Sequence, residues 1–80
     1  MRKKEMKLIV TFHTTTDAMA TEKFFKETDF PGRLIPVPRA ISAGCGLSWC
    51  TDEALEDKVI SLLREKGIAH EGVFHCLVSV

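Results

Sequence analysis

Polar and apolar residues change rhythm four times along this chain, and each change marks an element. In Lys7-Leu8-Ile9-Val10-Thr11-Phe12 the residues are β-branched or aromatic, and Leu8, Val10 and Phe12 share one face. That alternation predicts a strand. His13 to Asp17 is rich in N-cap residues, and from about Asp17 to Thr28 the apolar spacing becomes helical. Ala18, Thr21, Phe24 and Phe25 form the stripe, leaving Glu22, Lys23, Lys26 and Glu27 to water. Asp29-Phe30-Pro31-Gly32 breaks this helix. Arg33 to Val37 reads as a short strand, confined to a sheet edge by Pro36 and Pro38, which have no N–H for a ladder. Gly46 to Cys50 is a third strand. Thr51 or Asp52 then caps a helix running to Lys66, with Leu55, Val59, Leu62 and Leu63 on its buried stripe and Gly67 as its C-cap. Gly72 to Val80 closes the chain as a strand with Phe74, Cys76, Val78 and Val80 on one face.

The order β-α-β-β-α-β predicts an α+β, ferredoxin-like split fold: a four-stranded antiparallel sheet with two helices on one face. This topology sends the turn after the first strand and the loop between the second and third strands to the same end of the sheet. His13 to Asp17 is thereby expected beside Cys45, with the turn near Gly67 to His70 at the same edge.

The chain has 80 residues, which fits one domain over 1–80 with residues 1–6 as a basic N-terminal tail. Lys plus Arg and Asp plus Glu both count 11, so the formal charge is zero and nucleic acid is not an expected partner. Nothing approaches the ~20 apolar residues of a membrane span, and Met6 to Phe12 is too short for a signal peptide. Three cysteines in no paired framework read as reduced thiols, so a cytoplasmic location is expected.

Candidate chemistry concentrates at Cys45, in Pro38-Arg39-Ala40-Ile41-Ser42-Ala43-Gly44-Cys45-Gly46. A thiolate is the nucleophilic form of cysteine, and it needs exposure and positive potential. Gly44 and Gly46 promise an uncrowded loop, the N-terminus of the first helix a positive dipole end, and Arg39 or His13 a charge or hydrogen bond. Cys76 and Cys50 read as structural, since free cysteine is most often a small buried hydrophobe. Cys45 and Cys50 form no C-x-x-C, and His13, His70 and His75 are scattered, so neither a metal site nor a dithiol couple has a motif behind it. A Cys45–Cys50 disulfide stays open as a redox alternative. Trp49 is expected to be a packed aromatic, and Ile60, off the buried stripe, is the only hint of oligomer contact. A homodimer is left open.

Val10-Thr11-Phe12-His13-Thr14-Thr15, Asp17-Ala18 and Glu22-Lys23 resemble the opening of a small bacterial selenium/sulfur carrier protein-like family. Leu34-Ile35-Pro36-Val37-Pro38-Arg39, followed by Cys45-Gly46-Leu47, strengthens the resemblance, because a similar Pro-x-Pro-Arg run precedes a Cys-Gly there. It extends from about Lys7 to Gly72; Cys50 and Cys76 lie outside its motif. The resemblance implies a non-enzymatic carrier without a separate cofactor, holding sulfur or selenium on Cys45 as a persulfide or selenopersulfide. A cysteine desulfurase or selenocysteine lyase-type donor would load it and an acceptor protein would unload it. His13, Thr14, Arg39, Gly44 and Gly46 are the accompanying site residues. The alternative is a regulatory or small-ligand-binding module in which Cys45 is incidental.

Overall fold

A computed structural model describes residues 3–41 and 44–79. Ser42 and Ala43 of the Cys45 loop, Met1 and Arg2 of the expected tail, and Val80 of the last strand lie outside the described residues. The elements are β1 (Lys4–Thr11), α1 (Thr15–Glu27), β2 (Arg33–Pro36), β3 (Leu47–Thr51), a 3-10 turn (Glu53–Leu55), α2 (Glu56–Lys66) and β4 (Gly72–Ser79). All pairings are antiparallel, in the order β2-β3-β1-β4. This is the ferredoxin-like arrangement that the element order predicts, with Pro36 on an edge strand.

β1 begins at Lys4, so Lys4, Glu5 and Met6 pair with Ser79, Val78 and Leu77 and do not form a tail. The strand alternates around one decision. Leu8 and Val10 turn to the helices, where they meet Phe12, Ala18 and Phe25 from the first half of the chain and Val59 and Leu63 from the second. Residues of both helices enter one cluster with Leu8 and Val10, which puts the helices on one face of the sheet. Ile9 turns the other way, beside Cys50 and Phe74, and is fully buried there too.

The same register shows which way the shared face of Phe74, Cys76 and Val78 turns. Val73 faces the core with Val10, whereas Phe74, Cys76 and Val78 lie level with Ile9, Lys7 and Glu5 on the face away from the helices. Cys76 is accordingly half-buried and outside the core cluster. Apolar alternation specifies that a strand has two faces, but not which of them the helices cover.

The helix ends are closed partly by side chains and partly by backbone bonds. Thr14 caps α1, its Oγ1 accepting the Asp17 N–H at 3.1 Å. At the far end Phe30 N–H donates to the Phe25 carbonyl (2.8 Å) while Asp29 takes the left-handed conformation (φ 58°). The Phe25 and Phe30 rings stack across this stop at 4.6 Å. That is a Schellman closure with its usual hydrophobic contact, built on aspartate in place of glycine. Asp52 caps the 3-10 turn through the Ala54 N–H (2.9 Å), and Gly67 (φ 77°) ends α2 as expected.

Candidate functional site at the Cys45 edge

Three connections meet at the end of the sheet where β1 and β2 stop and β3 and β4 start, as the topology requires. The Glu71 N–H donates to the Thr11 carbonyl (2.7 Å), fastening the α2–β4 turn to the end of β1. The Glu71 carboxylate then reaches the Cys45 loop: Oε1 accepts the Gly44 N–H at 3.3 Å, and Oε2 lies 4.0 Å from His13 Nδ1. Glu71 thus joins all three connections. It lies one residue past the Gly67 to His70 turn that topology brings to this edge. Its role was not legible because an exposed glutamate before a strand has no signature of its own.

Cys45 is a free, half-buried thiol packed against the rim of the core cluster. Its Sγ accepts the Leu47 N–H at 3.4 Å, and the thiol donates to the Leu47 carbonyl at 3.5 Å. The local turn is fixed on both sides: Val37 N–H donates to the Gly46 carbonyl (3.0 Å), and Gly46 has φ 78°.

The two glycines differ in kind. Gly46 needs its left-handed backbone, which other residues rarely adopt. At Gly44 an added Cβ would meet the His13 carbonyl at an ordinary 3.5 Å, so glycine is not required there.

The other expected site residues are brought near to unequal degrees. His13 is exposed and paired loosely with Glu71. Thr14 is committed to capping α1, its hydroxyl also donating to Asp17 Oδ2 (3.0 Å). Arg39 stands exposed in the turn closed by Ile41 N–H on the Pro38 carbonyl (2.9 Å). Among the described residues, no hydrogen bond joins Cys45 Sγ to His13, Arg39 or the start of α1, and the donor it does find is Leu47. Cys50 and Cys45 lie on opposite faces. Leu47 and Trp49 face the helices with Cys45, whereas Cys50 lies level with Ile9 and Arg33 on the other face. A direct Cys45–Cys50 disulfide is therefore incompatible with this fold, since bridged cysteines need Cα atoms within about 7 Å and Cβ vectors that converge. All three thiols are free. Among the described residues no group of three or more His, Cys, Asp or Glu is placed to hold a metal ion. Nor is any helix among them long and apolar enough to cross a membrane.

The class is a small ferredoxin-like α+β domain with a half-buried thiol on a glycine-closed turn at a loop-built edge. The family described as "Putative Se/S carrier protein-like" matches residues 7–75, and the chain belongs to that family. No curated protein and no solved structure matches it.

Proposed function

We propose that the protein carries sulfur or selenium on Cys45. Family membership, together with the half-buried Cys45 thiol held on the Gly46 turn beside Glu71, supports this reading. In loading, the Cys45 thiolate attacks the terminal chalcogen atom of a donor persulfide or selenopersulfide. A new bond forms to Cys45 Sγ, the donor's own bond to that atom breaks, and the donor thiolate leaves. Delivery repeats the exchange with an acceptor thiolate. The chemistry needs no general acid, because both leaving groups are thiolates.

A desulfurase or selenocysteine lyase-type enzyme is the donor this scheme calls for, and a reducing cytoplasm is the compartment that keeps such thiols available. The Leu47 N–H stays in place as Cys45 Sγ passes from thiolate to persulfide. The Glu71 contact to Gly44 limits how far the loop moves between donor and acceptor.

Intact-mass spectrometry after incubation with a cysteine desulfurase and cysteine, and in parallel with the selenium counterpart, tests this. The wild type is expected to gain one sulfur or selenium atom and Cys45→Ser none. An adduct of equal occupancy on Cys45→Ser overturns it.

A further inference from the structure

The opposite end of the sheet, where β2 begins and β3 ends, holds an open pocket of ≈ 730 Å³. Its position is set by strand register: Cys50 lies between Ile9 and Arg33 in neighbouring strands, with Lys7 one step along β1 on the same face. Pro31, Ala54 and Leu55 complete an apolar wall. The volume falls in the range of about 300–1,000 Å³ of sites that hold small organic molecules.

We propose that this pocket binds a small organic monoanion, its apolar body against Cys50, Pro31 and Leu55 and its acidic group on Arg33 and Lys7. Charge complementarity carries the assignment. Arg33 has no carboxylate partner among the described residues, and the half-buried Lys7 has only Glu5, at 3.4 Å. Asp52 is the one acid in the lining, and its Oδ1 is held by the Ala54 N–H. Within the lining two cations face one acid, and Glu5 outside it pairs with Lys7 alone, so Arg33 is the cation left open to a single negative charge. Cys50 does not supply that charge: burial pushes its thiol up, against the opposing pull of Arg33 and Lys7, so it stays a neutral part of the wall. The Thr51 hydroxyl is also committed, donating to the Pro31 carbonyl at 2.9 Å. The polar ligand contacts therefore come from the two cations. The site is independent of Cys45, which lies at the other end of the sheet and on the helix-facing side.

Two probes of equal length separate charge from hydrophobicity: octanoate and octan-1-ol. Trp49, the sole tryptophan, lies beyond Gly32 in a second, smaller hollow, so binding to the full chain is followed by isothermal titration calorimetry. Octanoate is expected to saturate, to bind at least about tenfold more tightly than octanol, and to slow alkylation of Cys50 mapped by peptide mass spectrometry. Arg33→Gln is expected to weaken octanoate about tenfold and Arg33→Lys less, because a point charge replaces a fork of donors. Equal binding of octanol, or an unchanged Cys50 alkylation rate at saturating octanoate, overturns the proposal. So does an Arg33→Gln protein that melts normally and binds octanoate as the wild type does. If Arg33→Gln melts early, the wild-type comparison of the two probes alone decides.

Discussion

At Gly46 a single backbone angle holds the loop that presents Cys45. With φ at 78° the position costs an L-residue about 1 kcal/mol, so Gly46→Ala is expected to lower the unfolding free energy measured in urea by that amount. Gly44→Ala should unfold within about 0.5 kcal/mol of the wild type, since its Cβ finds ordinary contact distance. The pair of melts distinguishes a glycine needed for conformation from one that is merely present. Glu71 acts at the same scale. Replacing it with Ala removes the acceptor of the Gly44 N–H, and amide exchange at Gly44 should accelerate while exchange in β1 stays slow. Unchanged exchange at Gly44 would mean that the carboxylate does not hold the loop.

Between elements, the least expected join is at His75. This residue of β4 faces the helix side, and its Nδ1 lies 2.6 Å from Glu53 Oε2 while Nε2 lies 2.8 Å from Glu56 Oε1. The imidazole therefore pins β4 to the 3-10 turn and the first turn of α2. Hydrogen bonds to the Glu53 and Glu56 carboxylates hold its pKa above the ordinary histidine value. Both nitrogens can donate only when the ring is charged. A raised folded-state value means the stabilisation is complete below the unfolded pKa of about 6.5 and is lost as pH rises through the folded value. The melting temperature of the wild type should thus fall more steeply from pH 6 towards 8 than that of His75→Gln, whose uncharged amide does not titrate. Parallel curves for the two proteins would exclude His75 as the source. At the end of α1 the Schellman closure makes a separate prediction. Asp29→Gly should stabilise by about 0.5–1 kcal/mol in chemical denaturation, because glycine takes the left-handed angle without strain.

Across the whole molecule, an 80-residue domain has a total stability of only about 4–12 kcal/mol, so its few core contacts matter greatly. Leu63, fully buried where α2 meets β1, should cost about 2–5 kcal/mol on replacement by Ala, a large share of that total and readable as a much lower melting temperature. The order of elements and the edge position of β2 were legible because periodicity, caps and proline act locally. The gathering of His13 and Cys45 at one edge was legible too, as a consequence of strand order. What the pattern did not reveal depends on register. Whether Phe74 and Cys76 face the helices is decided by their pairing with Ile9 and Lys7, and that is a relation between strands distant in the chain. The same relation places Lys7, Arg33 and Cys50 around one pocket although they come from three strands. It also leaves Arg39 outside the contacts of the thiol it precedes by a few residues.

β1 and β4 run side by side for their full lengths, from Lys4 opposite Ser79 to Thr11 opposite Gly72. Their outer ends are thus neighbours, about 5 Å apart at the Cα atoms, at the pole remote from Cys45. A short glycine linker could join those ends, and the ring could be reopened in the β3–α2 connection without cutting any strand or disturbing the Cys45 edge. By the same geometry, a reporter domain fused at either end would hang from the far pole, leaving the thiol edge clear for donor and acceptor.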